Sequence, residues 1–295
     1  MRHIFIYAAA AIAFAACGDK NEFDASGTFE ATEITVSAES TGRILRFDVE
    51  EGMPVKAGAE VGVIDSLQLH LQREQLKAQQ AALLKSRPDV QKQASSLREQ
   101  IAKQKTELQR VNNMLRDGAA TQKQADDINA QIRILESQLS ATLSTLGNST
   151  ATINENAAAL DAQIAILDDR IAKCRIASSV SGTVLVKYAE AGETAAAGKP
   201  LFKVADLDNI YLRAYFTSDQ LSRLKLGNKV KVTADFGGGE RFDYEGRIAW
   251  IASESEFTPK TIQTKDSRAN LVYAVKIAVK NDGRLKIGLY GEVSL

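Results

Sequence analysis

The chain has 295 residues, with 37 Lys plus Arg and 37 Asp plus Glu, so its formal net charge is zero. That balance argues against a protein that coats nucleic acid, which carries a basic excess. Two His and two Cys are too few for a His/Cys metal cluster or a thiol–imidazole pair. With 6% aromatics and four Pro, the chain is no disulfide scaffold, collagen or low-complexity polymer, and the odds of an enzyme fall.

Arg2 and His3 precede an apolar run over residues 4–16. A membrane span needs about 20 apolar residues. A shorter run behind a basic start reads as a signal peptide, residues 1–16. It ends in Phe14-Ala15-Ala16-Cys17-Gly18, which looks like a bacterial lipobox with Phe14 in the place usual for Leu. Cys17 is then the lipidated mature N-terminus and residues 17–22 a polar tether. The alternative is an ordinary signal peptide with an incidental Cys. No later segment is long and apolar enough to cross a bilayer, so the expectation is an exported, lipid-anchored, otherwise soluble protein. With Cys17 acylated, Cys174 has no partner for an intramolecular disulfide.

Residues 39–65 are rich in Gly and Val and read as strands. The next segment is different. No Phe, Tyr or Trp occurs between Phe47 and Tyr188, and between Ser66 and Ala177 the only breakers are Pro88, Gly118 and Gly147. Residues 66–177 read as long helices. Leu97, Ile101, Gln104, Leu108, Val111 and Leu115 step by four and three. Ile128, Ile132, Leu135, Leu139, Thr142 and Leu146 do the same, and the rhythm resumes from Ile153 through Ala157, Leu160, Ile164, Leu167 and Ile171 to Cys174. Spacing that averages 3.5 keeps one apolar seam on a partner helix, as in a coiled coil. Cys174 in that seam is a small core residue.

The seam breaks between Leu115 and Ile128. Gly118 can end a helix in the left-handed conformation, and Thr121 with Gln124 is a capping-box start. So short a turn, with its tip about residues 116–122, makes the helices antiparallel. Arms of about 50 residues reach roughly 75 Å at 1.5 Å per residue. Heptad phase runs across Pro88 through Leu83, Arg87, Val90 and Ala94, and across Gly147 through Leu146, Ser149 and Ile153. Both lie about 30 residues from the turn, which predicts a shared bend or hinge at one height. The alternative is a helix restart at Ser86-Arg87-Pro88-Asp89, since Pro suits a first turn.

The flanks of the hairpin repeat at a constant offset of 140 residues. Thr41-Gly42-Arg43-Ile44-Leu45 matches Ser181-Gly182-Thr183-Val184-Leu185. Gly52 matches Gly192, Gly58 matches Gly198, Val61 matches Leu201 and Ile64 matches Val204. Two units of about 25 residues, neither able to bury a core alone, should pair into one β-domain. The glycines Gly42, Gly52, Gly58, Gly182, Gly192 and Gly198 mark tight turns that need positive φ. This pattern resembles the biotinyl/lipoyl fold, with halves at residues 39–65 and 178–205. Carrier domains place a modifiable Lys at the junction between halves. Here the junction is Val63-Ile64-Asp65-Ser66-Leu67, without Lys.

A lipoyl-like sandwich split by a coiled-coil hairpin resembles the haemolysin-D-type membrane fusion proteins, or periplasmic adaptor subunits. The fold class implied is α+β multidomain, with a β-barrel over residues 206–295. Leu207 to Phe216, Leu226 to Val232, Phe242 to Ile248 and Leu271 to Ile277 look like its strands. Residues 23–38, with alternating Ile34 and Val36, should return a strand to it, and no further domain is expected after it. Glu256-Phe257-Thr258-Pro259-Lys260 resembles the subset that serves ABC-type exporters.

The resemblance implies an inner-membrane transporter, a trimeric outer-membrane channel and a homo-oligomeric, hexameric ring as partners, with a lipid in the inner membrane and no cofactor. It also implies that Arg110, Met114 and Thr121, matching Arg, Leu and Ser of the family's hairpin tip, touch the channel. The seam uses Val111 and Leu115, which leaves Arg110 and Met114 free. The bland readings are a solvated charge at Arg110 and a helix cap at Thr121.

Gly237-Gly238-Gly239 lacks the Lys and Ser/Thr of a phosphate loop and reads as a turn. His70 reads as a helix-surface residue, Asp126-Asp127 and Asp168-Asp169 as helix charges, and Trp250 as barrel core. A biotin- or lipoate-bearing carrier and a structural coiled-coil envelope lipoprotein are the other functional readings.

Overall fold

The structure, a computed structural model, describes residues 23–257 and 271–295. The expected signal peptide and tether, with Cys17, and Thr258-Pro259-Lys260 lie outside the described residues. In chain order the elements begin with β1 (Ala25–Glu30), β2 (Glu33–Ser37), β3 (Gly42–Phe47), β4 (Pro54–Val55) and β5 (Glu60–Ile64). Three helices follow, α1 (Leu67–Lys85), α2 (Val90–Arg116) and α3 (Gln122–Ala172). Then come β6 (Arg175–Ala177), β7 (Gly182–Lys187), β8 (Thr194–Ala195), β9 (Pro200–Ala205) and β10 (Asn209–Thr217). The chain continues through α4 (Ser218–Leu221), β11 (Lys229–Asp235), β12 (Arg241–Ile251), β13 (Glu256–Phe257), β14 (Leu271–Lys280) and β15 (Tyr290–Ser294). Two compact units result, residues 64–175 and the remainder.

The repeat dictates the sandwich. Its two sheets run β2-β9-β7-β4 and β6-β5-β3-β8, and each takes strands from both halves. Gly42 pairs with Ala195 and Val55 with Gly182, which are images of each other at the 140-residue offset. Gly52 N–H donates to the Val184 carbonyl at 2.9 Å, and Gly192 N–H to the Ile44 carbonyl at 2.7 Å. Ile44, Val49, Ile64, Val184, Leu201, Phe202 and Val204 are buried between the sheets. Each such side chain contributes about 1.5–3 kcal/mol relative to exposure. Two expectations are corrected here. Gly42 and Gly182 begin strands and are not among the positive-φ glycines, whereas Gly52, Gly58, Gly192 and Gly198 have φ of 77–94°. At Gly182 the demand is for space, because a Cβ would lie 2.4 Å from the Ala205 carbonyl oxygen.

Of residues 23–38, β1 returns to the barrel as expected, pairing with β10 and β15, whereas the strand with Ile34 and Val36 does not. It is β2, and it pairs with β9 of the sandwich. The Lys203 ammonium bonds the Glu33 carboxylate at 2.8 Å across this pair, and that carboxylate holds the Lys203 pKa above its ordinary value. The physical reason is that the repeat starts earlier than its glycines suggest. Val36 and Ala38 occupy the same buried places as Ile176 and Ser178, again 140 residues on. The chain between β1 and β2, Ala31-Thr32, marks the change of domain.

The barrel is a six-stranded sheet in the order β10-β1-β15-β11-β12-β14, closed by β14 pairing with β10, with β13 added along β14. Closure leaves no open edge among the six strands. Phe29, Ile210, Leu212, Phe216, Ile248, Ile277 and Leu285 fill the interior. β1 lies so close to β10 that a Cβ on Gly27 would sit 1.9 Å from the Arg213 carbonyl oxygen. Trp250 is not barrel core. A register shift between Ile248 and Trp250 inserts one residue into β12, so Ile248 points inward while Ala249 and Trp250 are both exposed. A bulge of this kind re-aims the side chain that follows it.

The helical unit is an antiparallel hairpin. Buried seam residues are Ala94, Ile101 and Val111 on α2 and Ala125, Ile132, Leu135, Ala157, Ile164 and Leu167 on α3. The Lys105 ammonium meets the Glu136 carboxylate at 2.7 Å, Gln80 donates to the Ala157 carbonyl at 3.2 Å, and Arg73 reaches Asp168 at 3.2 Å. The Asp168 carboxylate holds the Arg73 guanidinium pKa above its ordinary value. The first arm does not bend through Pro88 as one helix. It stops at Lys85 and restarts at Val90. Pro88 has no N–H and pushes Arg87 out of the helical region. Asp89 then caps the new helix, its side chain accepting from Lys92 N–H at 3.0 Å. The other arm passes Gly147 without interruption. There the seam passes through half-buried Thr150, while Ser149 and Arg87 are exposed.

Candidate functional site

The hairpin tip is built from two caps. Gly118 takes φ +72° after Asp117, and its N–H donates to the Leu115 carbonyl at 3.1 Å while Ala119 N–H donates to the Met114 carbonyl at 2.8 Å. These bonds satisfy end carbonyls of α2. Thr121 opens α3 with a reciprocal capping box. Thr121 N–H donates to Gln124 Oε1 at 2.9 Å, and Gln124 N–H donates to Thr121 Oγ1 at 3.4 Å. The turn is therefore fixed by its own backbone chemistry.

Arg110 and Met114 stand one helical turn apart, off the seam that holds Val111 and Leu115. The Arg110 side chain is 70% exposed and bonds Glu107 Oε1 at 2.7 Å, a pair along its own helix that leaves the fork open to solvent. Exposed pairs of this kind contribute about 0–1 kcal/mol. Met114 is 40% exposed, a pliable apolar contact on an otherwise polar surface. Thr121 is exposed, but its hydroxyl is engaged in the cap. The geometry thus presents Arg110 and Met114 outward on one helix and uses Thr121 to hold the turn beside them. Sequence reasoning passed over Gln109, Asn112, Asn113 and Arg116, which with Lys105 line a shallow depression on α2. Their signal was the run of amides just before the turn.

The two predicted hinge residues lie in one bracketed stretch of the hairpin. The Gln80–Ala157 and Lys105–Glu136 contacts bracket residues 86–89 on one arm and Gly147 on the other. Around Gly147 the hydroxyls of Thr142, Thr145, Thr150 and Thr152 donate to the carbonyls four residues back, at 2.9–3.1 Å. Such back-bonding weakens and bends helices. In the sandwich, the junction after β5 carries a local bond, Leu67 N–H to Asp65 Oδ1 at 3.0 Å. Cys174 is 1% exposed, and its thiol donates to the Arg170 carbonyl. His70 is half-buried on α1. Gly237-Gly238-Gly239 turns between β11 and β12, all three at positive φ. No helix among the described residues is long and apolar enough to cross a membrane.

No protein-family model matches the chain. Over 110 residues, 37% of the chain, it is 34% identical to a UPF0194 membrane protein of Yersinia pseudotuberculosis, and the match spans 33% of that relative's length. Among solved structures it is similar to the periplasmic adaptor protein EmrA, at 15% identity and a TM-score of 0.46 over 92% of this chain and 97% of that one. It is also similar to MacA from Actinobacillus actinomycetemcomitans, at 20% identity and a TM-score of 0.56, covering 91% of this chain and 76% of that chain. The likeness to MacA is one of fold.

Proposed function

We propose that the chain is the periplasmic adaptor subunit of a tripartite exporter, joining an inner-membrane pump to an outer-membrane channel. The observation that carries this reading is the long hairpin inserted between the two halves of a lipoyl-like sandwich that continues into a closed barrel. A single two-armed rod has an exposed surface far larger than its seam, which suits a part that packs against copies of itself and against a channel. In this reading the sandwiches form a hexameric ring, Cys17 carries the lipid, and the barrel meets the pump. Arg110 and Met114 reach the channel, with Thr121 holding the tip. The pump is of the ABC type, a preference resting on the resemblance of residues 256–260. Motion passes through the hairpin where the break at Pro88 faces the weak stretch around Gly147.

The test is deletion of residues 110–124 with a short turn closing the arms. Loss of export from cells, with the thermal unfolding of the barrel and sandwich unchanged, is the expected result. Normal export by the deleted form overturns the adaptor reading.

A further inference from the structure

The segment between α4 and β11 carries Arg223, Lys225 and Leu226, and Lys229 follows at the start of β11. Leu226 is 67% exposed, the highest value among the large apolar side chains of the described residues. Two backbone bonds fasten this loop to β12, Gly227 N–H to the Ile248 carbonyl at 2.8 Å and Ile248 N–H to the Asn228 carbonyl at 3.0 Å. Arg247 adds a bond from its guanidinium to the Gly227 carbonyl at 3.2 Å. Two residues beyond Ile248, the bulge turns Trp250 outward, 43% exposed, with the Lys276 ammonium 5.9 Å from its ring centre. Glu245 offsets Lys229 at 2.7 Å, and Asp219 and Glu254 stand on the flanking segments. Asp24, beside Gln220, adds a fourth carboxylate, which accepts from Leu295 N–H at 2.9 Å, and the cations Arg223, Lys225, Lys229, Arg247 and Lys276 outnumber these four. A barrel has no structural need for a Leu and a Trp held out among cations.

The start of the chain says what lies against this end. The Asp24 carbonyl accepts from Gln220 Nε2 at 2.6 Å, and Gln220 precedes Arg223 by three residues. β1 therefore enters the barrel beside the loop. Cys17 is six residues before Phe23, at most about 20 Å of extended chain. In the proposed function Cys17 carries the lipid, which holds the loop within reach of the headgroup layer.

We infer that the loop of residues 223–229, with Trp250, docks on anionic phospholipid headgroups. Arg223, Lys225, Lys229 and Arg247 meet the phosphates, and Leu226 and Trp250 enter the interfacial layer. Tryptophan favours the headgroup level, and basic side chains near an anionic surface add attraction charge by charge. The inference rests on the membrane attachment in the proposed function and goes beyond it, giving the barrel a lipid contact of its own that fixes how it stands on the membrane.

Trp250 is the chain's single Trp, so its fluorescence reports one place. The mature protein, purified from membranes with its lipid, is reconstituted in phosphatidylcholine vesicles with or without phosphatidylglycerol, with brominated acyl chains as quencher. Trp250 emission is expected to be quenched in the phosphatidylglycerol vesicles and to recover in high salt. Combining Arg223→Gln, Lys225→Gln and Lys229→Gln lowers the docking equilibrium about a hundredfold, at about fivefold per charge, and abolishes the quenching. All three side chains are exposed, so thermal unfolding of this variant stays as in the wild type. Leu226→Asp, with the cations intact, also abolishes it. Vesicle flotation reads the anchor separately. A chain that floats while Trp250 remains unquenched overturns the loop contact and leaves the anchor standing; a chain that does not float overturns both. Unquenched Trp250, with the triple variant losing a co-purifying inner-membrane protein, overturns lipid docking in favour of an acidic protein surface.

Discussion

At the scale of the residue, the tip separates two roles that the sequence leaves entangled. Thr121 is committed to its capping box, so Thr121→Ala is expected to cost about 1 kcal/mol, read as a lower thermal midpoint and faster amide exchange at the start of α3. Arg110 is a different case. Its side chain bonds Glu107 along its own helix, at 70% exposure. Arg110→Asp should leave the thermal midpoint nearly unchanged and abolish cross-linking of the tip to a channel protein; a large stability loss would make Arg110 structural. Gly27→Ala should be the most damaging small change in the barrel. Its methyl would collide with the Arg213 carbonyl between two paired strands, at a cost of about 3 kcal/mol or more by denaturant unfolding. Residue-scale legibility was uneven. Gly52, Gly58, Gly192 and Gly198 announce positive φ by repeating at fixed turns. Trp250 misled because an apolar neighbourhood, Ile248-Ala249-Trp250-Ile251, gives no sign of the extra residue that flips its direction.

At the scale of the element, the hairpin was legible because a seam has a period, and seven-residue periodicity survives local defects. That same persistence concealed the restart at Val90. Leu83 and Val90 keep the phase across Pro88 although the helix between them is gone. The deciding signal is local, Pro88 followed by Asp89 as an N-cap. The intact arm now offers a measurement. Gly147 has open space around it, so Gly147→Ala gains about 1 kcal/mol of helix stability without a clash. If the hairpin flexes at that height during transport, this stabilised variant should export more slowly while melting higher. Equal export with higher melting would remove the hinge from the mechanism.

At the scale of the whole molecule, the sandwich was readable because its two halves match without a gap, and the barrel strands because they alternate. What escaped was the allegiance of β2. Periodicity of two says that residues 33–37 form a strand but not which sheet they join; only the position of Val36 against Ile176 in the repeat settles that. Attachment to the membrane is testable at this scale. Cys17→Ala, expressed without pump or channel, should move the protein from the membrane pellet to the soluble periplasmic fraction, and continued sedimentation with membranes would argue against a lipid at Cys17.

Because each sheet borrows strands from both copies, the first copy emerges with nothing to complete it. More than a hundred residues must follow before its mate exists. Joining ends that far apart in a floppy chain costs about 4 kcal/mol of loop entropy. The antiparallel rod removes most of that penalty, since zippering from the turn at Gly118 leads back to Ile64 N–H beside the Cys174 carbonyl, 2.8 Å apart. The rod is thus a self-assembling jig, and lesions at its turn should slow maturation of a β-domain whose strands they never touch.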